Sequence, residues 1–182
     1  MPSIETERLL LRKFRPDDLD DLAALFADPD VVRYVGDGCP VSRDEAERAL
    51  YSTLRHWQEH GFGRGAVLDR QTLEFVGFGG LRSLFGTPEV VYHLAKACWG
   101  KGLATEIGQA ALTFGFEQRG FDRIVAIAKP LNAASIHVMK KLGMHFEKNA
   151  RYYGIDAVQY EISRDEFKRD NSRFVILPDE ES

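Results

Sequence analysis

The segment 99–106, which reads Trp-Gly-Lys-Gly-Leu-Ala-Thr-Glu, combines residue types that suit the binding of an anion. A strand-like apolar run precedes it, and an amphipathic helix pattern follows it. Gly100 and Gly102 leave the first N–H groups of that helix uncovered, and those groups have no partner within the helix. Together with the helix dipole and the nearby Lys101 ammonium, the turn can bind a phosphate or pyrophosphate.

The glycine turn alone leaves a second interpretation open, because glycines also end strands and begin helices without binding any ligand. No G-x-x-x-x-G-K-[ST] loop occurs in the chain. The dinucleotide fingerprint also fails, since Thr105 stands where its third small residue would fall. The turn by itself therefore predicts a phosphate site without identifying the ligand.

Other residues capable of chemistry have weaker patterns. His56 and His60 are spaced i, i+4, as on metal-binding helices, but no third ligand is evident, so we interpret them as a solvated helix end and predict no metal site. Cys39 and Cys98 are too few for a disulfide framework. Cys98 also has no positioned base that would make it a nucleophile.

The elements that must position these residues form a mixed α and β pattern. Ser42 and Glu45 are spaced as a capping box, and Gly61 is expected to end the helix that they begin. A short element of undefined type spans 31–35. The predicted strands are 8–14, 64–69, 74–81, 90–97, 123–128, 144–149 and 158–163, and the predicted helices are 16–26, 42–60, 103–114 and 135–142.

Composition places the chain among ordinary globular proteins. The 182 residues are 44% hydrophobic and 29% charged, with a formal net charge of −4. We predict one domain over 1–167 and a loose, acidic C-terminal tail over 168–182. The absence of a basic block argues against a nucleic-acid partner. We expect neither a signal peptide nor a membrane partner, and therefore a cytoplasmic location.

Six segments, in order, resemble the Gcn5-related N-acetyltransferase (GNAT) superfamily, and within it the branch of ribosomal-protein N-acetyltransferases (RimJ/RimL-like). Each is a weak motif alone, but their order along the chain is specific. They are Thr6-Glu7-Arg8-Leu9-Leu10-Leu11-Arg12, Asp28-Pro29-Asp30-Val31, Glu89-Val90-Val91-Tyr92-His93-Leu94, the segment 99–106, the segment 132–144 with its Asn-x-x-Ser and Leu-Gly pairs, and the segment 159–166.

The resemblance implies an α/β (α+β) fold, with a mixed, mostly antiparallel twisted sheet of six to seven strands and about four flanking helices. The sheet would be splayed between its fourth and fifth strands. The implied activity is acetyl transfer from acetyl-CoA to a primary amine, without a metal. The amine could be a protein N-terminus, an amino acid, a polyamine or an aminoglycoside-like compound, and the protein a monomer or homodimer. The helix 42–60 and the loop 152–154 are expected to shape the amine pocket.

The resemblance also implies which residues bind acetyl-CoA. The turn would hold the pyrophosphate, a main-chain N–H near Leu94 or Ala95 would meet the thioester oxygen, and Asn132 and Ser135 would contact the pantetheine. Ser135 is also the candidate to hydrogen-bond the departing thiolate. The implied acetyl-CoA residues are Leu94, Ala95, Trp99, Gly100, Lys101, Gly102, Leu103, Ala104, Thr105, Asn132 and Ser135.

The candidate base lies on the strand before the turn. Glu89 and His93 share one face of that strand but lie about 13 Å apart along it, so a single base is favoured over a dyad. Glu89 matches the glutamate of the family's fourth strand, which works through water, and is the preferred catalytic base. His93 is the competing candidate.

Two departures from the family pattern keep other functions open. Val91 stands where the branch has glycine, and Met139 stands where many relatives have a tyrosine acid. These changes favour, as an alternative, a non-catalytic acyl-CoA-binding regulatory protein with the same fold. The glycine turn alone is also compatible with an unrelated phosphate-binding α/β protein.

Overall fold

The fold is built on one nine-stranded sheet, as seen in a computed structural model that describes residues 3–178. The strands are β1 (Ser3–Glu5), β2 (Leu9–Lys13), β3 (Arg64–Asp69), β4 (Phe75–Leu84), β5 (Thr87–Leu94), β6 (Arg123–Ala128), β7 (His145–Tyr152), β8 (Ile155–Ser163) and β9 (Val175–Leu177). The helices are α1 (Leu19–Ala27), α2 (Pro29–Val32), α3 (Arg43–His60), α4 (Leu103–Thr113) and α5 (Ala133–Lys141). The strands lie in the order β7-β8-β6-β5-β4-β3-β2-β1-β9.

The sheet opens between β5 and β6. All other neighbouring strands pair antiparallel, whereas these two run parallel and pair only at Glu89 and Val125. Strands held together at one position diverge beyond it, so a wedge-shaped gap widens toward Leu94. The sequence predicts a splay between the fourth and fifth strands. Because β1 is not among the predicted strands, those two strands are β5 and β6, where the gap lies. The expected mixed, mostly antiparallel sheet with a splay between these two strands is thus present.

Two apolar clusters cover the two faces of the sheet. Ile107 and Met139, from α4 and α5, are fully buried in the larger cluster. Leu22 of α1 and Leu50 of α3 belong to the smaller cluster, which also contains Phe78 of β4. The sheet therefore separates an α4/α5 side from an α1/α3 side.

β5 presents different residues to these two sides. Val90 packs into the larger cluster and Val91 into the smaller one. Because side chains alternate along a strand, Glu89 and His93 lie on the α1/α3 side, whereas Tyr92 lies on the α4/α5 side. The strand beside the gap thus carries two different sets of chemical groups, one on each face.

Local signals position α3 as the sequence predicts. The Ser42 hydroxyl accepts the N–H of Glu45, and the Glu45 carboxylate accepts the N–H of Ser42, which completes the capping box. Gly61 ends the helix with a φ of +69°, a left-handed conformation that glycine adopts without strain. Both predictions are confirmed.

The strand before the glycine turn is shifted from its predicted range of 90–97. A two-residue turn, Phe85-Gly86, joins β4 to β5, so β5 begins at Thr87, and residues 96–98 form a 3₁₀ turn. Pro88 is tolerated in β5 because the alternation of the ladder points its nitrogen away from β4, so no bond to β4 is lost.

The sheet has more strands than the six to seven expected, because β1 and β9 have three residues each and are too short to show a period. β9 lies in the segment 168–182, where a loose tail is expected, and pairs antiparallel with β1. Residues 1–2 and 179–182 lie outside the described range. None of the helices within 3–178 is long and apolar enough to cross a membrane.

Candidate active site

The glycine turn has the geometry of an anion site. Gly100 and Gly102 have φ values of +73° and +78°, which side chains rarely adopt. A Cβ placed on Gly100 would meet no atom within 4 Å, so the space beside it is open. The first helical bond runs from the Glu106 N–H to the Gly102 oxygen, at 3.2 Å. No side chain among residues 3–178 caps the N–H groups of 103–105.

The turn is held in place by the β1–β2 connection. The Glu106 carboxylate accepts bonds from the Thr6 hydroxyl at 2.6 Å, the Arg8 N–H at 2.8 Å and the Arg8 Nε at 2.7 Å. The Arg8 guanidinium also donates to the Lys101 carbonyl at 2.8 Å. Two of the six sequence motifs are thereby joined, and the main chain of the turn is fixed in position.

Leu94 is the main-chain donor that faces the gap. The Ala95 N–H donates to the Val76 oxygen of β4 at 3.0 Å, so it is already engaged. Successive N–H groups point to opposite edges of a strand, so the Leu94 N–H points toward the β6 side, where the sheet is open. Its carbonyl points the same way and accepts the Trp99 indole N–H at 2.8 Å.

Ser135 meets a phenol that crosses from β5. Asn132 caps α5 by accepting the Ser135 N–H at 3.1 Å. The Tyr92 hydroxyl lies 3.2 Å from both the Ser135 hydroxyl and the Ser135 carbonyl. Burial raises the pKa of Tyr92 to about 12, so the phenol stays protonated at neutral pH. Met139, one turn further along α5, is 1% exposed and lies in the core.

Glu89 lies at the closed end of the gap. It is 3% exposed, and its carboxylate accepts a bond from the Arg82 Nε at 2.5 Å. Arg82 is its antiparallel partner across β4. Burial raises the pKa of Glu89, although the charges of Arg82 and Arg64 oppose the shift. A raised carboxyl pKa brings this group closer to the pH at which it would accept a proton from an amine.

His93 is a much weaker base. Its ring packs against Phe78 with the ring centroids 4.6 Å apart. Burial, together with the charges of Arg64 and Arg82, lowers the pKa of His93 to about 3. At neutral pH the imidazole is therefore uncharged and holds an added proton poorly, which favours Glu89 over His93 as the candidate base.

The histidine pair on α3 shows no metal-binding arrangement. The rings of His56 and His60 are 4.3 Å apart. Within residues 3–178, no group of three or more His, Cys, Asp or Glu side chains could hold a metal ion. Cys39 and Cys98 are both free thiols.

The GNAT acetyltransferase domain family matches residues 8–145, most of the chain. The chain is a member of the GNAT acetyltransferase family. The uncharacterized N-acetyltransferase p20 of Bacillus licheniformis is 30% identical over 157 residues, which cover 84% of this chain and 88% of the relative. The expectation that the chain is an N-acetyltransferase is thereby confirmed.

Solved structures agree with this assignment. The GNAT-family acetyltransferase of Bacillus anthracis superposes with a TM-score of 0.79 at 27% identity, covering 90% of this chain and 99% of that one. RimL, a ribosomal L7/L12 α-N-protein acetyltransferase solved with coenzyme A, superposes with a TM-score of 0.73 at 19% identity, covering 87% of this chain and 98% of that one. The second likeness shows the fold alone.

The GNAT site contains functional candidates that sequence reasoning missed. Arg82 could have been paired with Glu89 from sequence, because recognising the two-residue turn at Phe85-Gly86 fixes the register of β4 against β5. Tyr92 lies next to Val91 in the strand motif, but no local signal shows that it reaches Ser135. The contact depends on how α5 packs against the sheet.

Proposed function

We propose that this GNAT enzyme transfers the acetyl group of acetyl-CoA directly to a primary amine. The observation that carries the proposal is the gap between β5 and β6, which has an open anion site beyond its wide end and a buried carboxylate at its closed end. Glu89 and Tyr92 lie on opposite faces of β5, so a proton acceptor and a proton donor flank the same gap.

The residues on the α4/α5 side fit acetyl-CoA. The uncapped N–H groups of 103–105, with Gly100 and Gly102 before them, suit a pyrophosphate. Trp99 precedes this turn, and Lys101 lies between its two glycines. The Leu94 N–H can donate to the thioester oxygen, where negative charge develops during acyl transfer.

Acetyl-CoA supplies a thioester whose carbonyl carbon accepts the amine and whose sulfur leaves. Glu89, through a water molecule, takes the proton that the ammonium must lose and passes it to solvent. The amine nitrogen then bonds to the carbonyl carbon as the carbon–sulfur bond breaks. The acylated nitrogen loses its second proton through the same water to Glu89, which has by then released the first. The Ser135 hydroxyl, in contact with the Tyr92 hydroxyl, donates a hydrogen bond to the departing thiolate, which takes its proton from solvent.

The two departures from the family pattern do not require a loss of catalysis. The Met139 side chain packs in the core, so α5 has no tyrosine at the position where many relatives have one. The hydroxyl of Tyr92, from β5, lies beside Ser135 instead. Val91 packs in the smaller apolar cluster beside Phe78. The position of Glu89, buried at the closed end of the gap beside Arg82, supports catalysis over a purely regulatory binding role, because carboxyl groups with perturbed pKa values concentrate at functional sites.

A turnover assay tests this proposal. The protein is incubated with acetyl-CoA and a panel of amino acids, polyamines, aminoglycosides and peptides with free N-termini. Free CoA and acetylated product are both measured, and a reaction without amine gives the hydrolysis background. We expect CoA and N-acetylated product in equal amounts for at least one amine. Tight binding of acetyl-CoA with no acetylated amine would instead support the non-catalytic alternative.

The finer assignments rest on the sequence. The six motifs support placement in the RimJ/RimL-like branch, and the peptides of the panel test whether a protein N-terminus is the acceptor. A cytoplasmic location, the lack of nucleic-acid and membrane partners, a monomeric or homodimeric state and a domain boundary at 167 stay predictions.

A further inference from the structure

Arg64 is a half-buried cation without a carboxylate partner. Its guanidinium donates to the Thr53 hydroxyl of α3 at 2.9 Å and lies 5.8 Å from the centroid of the Phe78 ring. Among the residues that the structure describes, no Asp or Glu forms an ion pair with it. Buried arginines are ordinarily paired with an acid, because an isolated charge loses its hydration on burial. A guanidinium has five N–H donors, and a single hydroxyl uses few of them.

The surroundings leave one positive charge uncompensated. Glu89, the carboxylate whose charge acts on Arg64, is already bonded to Arg82 at 2.5 Å. Burial and the charge of Arg82 lower the pKa of Arg64 to about 10, so Arg64 is still protonated at neutral pH. Burial also lowers the pKa values of His56 and His93, which stay neutral. Two guanidiniums therefore face one carboxylate.

This charge lies on the same side of β5 as the candidate base. Arg64 pairs with Gly80, which pairs with Val91, and the guanidinium of Arg64 lies over the Phe78 ring of β4. The charge of Arg64 acts on both Glu89 and His93.

Two further features lie in the same region. The Nε2 atom of His56, one turn along α3 from Thr53, is buried and has no hydrogen-bond partner among the described residues. At the rim, the exposed rings of Phe85 and Tyr153 stack with their centroids 5.4 Å apart. The surroundings of Arg64 thus combine an unpartnered polar atom with an exposed aromatic edge.

We infer that the acceptor is a primary amine bearing a carboxylate, as an amino acid does, and that Arg64 binds this carboxylate while the amine lies at Glu89. The inference rests on the proposed function and narrows its acceptor class. A planar guanidinium matches a carboxylate with two parallel hydrogen bonds. One carboxylate also balances the single excess charge, whereas a phosphate would exceed it. Polyamines and aminoglycosides would be repelled by Arg64 and Arg82.

Matched substrate pairs test the inference. Each L-amino acid is compared with its carboxamide, which keeps the side chain and amine but removes the negative charge. We expect kcat/KM to be about 10- to 100-fold higher for the acid, mainly through KM. The amide amine is the less basic of the two, so a preference for the acid cannot arise from a larger fraction of free amine.

Variants test whether Arg64 causes the preference for the acid over the amide. Arg64→Met should reduce the acid-to-amide ratio to about one, and Arg64→Lys should retain part of it. Arg173→Met, which removes an arginine paired with Glu5 at the far edge of the sheet, should leave the ratio unchanged. If Arg64→Met fails to fold, the ratio of kcat/KM for acid and amide in the wild type still tests whether the acceptor carries a carboxylate. Equal or faster turnover of the amides, or a polyamine as the best substrate, would overturn the inference while leaving the acetyltransferase proposal intact.

A binding measurement separates the two proposals. N-acetyl-amino acids and their amides are titrated by calorimetry into the CoA-loaded protein. We expect tighter binding of the acids in the wild type and no difference in Arg64→Met. If no amine is acetylated but this difference is present, the proposed function fails and the carboxylate site stands. If the acids and amides bind equally, the carboxylate site is refuted.

Discussion

The two sides of β5 use different groups for binding and chemistry. On the α4/α5 side, the candidate groups are largely main-chain N–H groups in the turn at Gly100 and Gly102 and at Leu94. On the α1/α3 side, they are charged side chains, with Glu89 3% exposed and Arg64 lying close by without a carboxylate of its own.

This difference indicates how each site tolerates change. A main-chain site depends on backbone conformation, so the glycines matter more than neighbouring side chains. A buried charged site depends on each side chain and on the balance of charge among them, because charges interact strongly where water is scarce. A cofactor shared by a family suits the first kind of site, and a substrate that differs between relatives suits the second.

The largest expected effect comes from the buried carboxylate. Glu89→Gln should lower kcat/KM by roughly 100-fold or more at pH 7, because no group then takes the amine proton. The loss should shrink as pH rises, since more amine is already deprotonated. In the wild type, the rate should fall as pH drops through the raised Glu89 pKa. Rate–pH profiles of Glu89→Gln and His93→Gln measure this, and a wild-type profile in Glu89→Gln would rule Glu89 out as the base.

The glycine turn should show the next largest effect. Gly102→Asp brings a carboxylate to the N–H groups at the start of α4, where it repels the pyrophosphate, and should weaken CoA binding by about 2–3 kcal/mol. Lys101→Ala leaves the main-chain N–H groups intact and should change the affinity by less than about threefold. Calorimetry with CoA compares them. Unchanged affinity in a folded Gly102→Asp protein would show that the turn does not bind the pyrophosphate.

His93 should make the free energy of unfolding of the protein depend on pH. Its pKa is lowered to about 3 in the folded state from an ordinary value of 6.5, so between these values the unfolded chain binds the extra proton and folding is disfavoured. The free energy of unfolding should fall by about 2 kcal/mol from pH 7 to pH 5 through this group. Urea unfolding of wild type and His93→Phe at both pH values isolates the contribution, and identical pH slopes would contradict it.

The smallest expected effect concerns the phenol behind Ser135. Tyr92→Phe removes one hydroxyl contact and should lower kcat about fivefold while leaving CoA affinity unchanged. If Tyr92 acts through Ser135, combining Tyr92→Phe with Ser135→Ala should cost little more than Ser135→Ala alone. Steady-state kinetics of the three variants measure this coupling. Fully additive losses would show that the two hydroxyls act independently.

Much of the fold could be predicted from sequence because its signals are local. All seven predicted strands are present, and the capping box at Ser42 and the end of α3 at Gly61 depend on neighbouring residues alone. β1 and β9 could not be predicted, since strands of three residues show no period. Because proline is uncommon in strands, Pro88 argues against a strand at the first residues of β5. The register that pairs Arg82 with Glu89 is therefore not predicted from the sequence either.

For the candidate site, the sequence by itself determined the family and the glycine turn and predicted Glu89 as the base, because each is a short motif whose chemistry depends on residue type and spacing. The tertiary structure alone decided which groups surround these motifs. Arg64 comes from β3, Tyr92 from β5 and Ser135 from α5, and no spacing in the chain relates them. Burial then sets the protonation of the two candidate bases, Glu89 and His93. Removal from water raises the pKa of Glu89 and lowers that of His93 to about 3, and burial depends on packing from every neighbouring element.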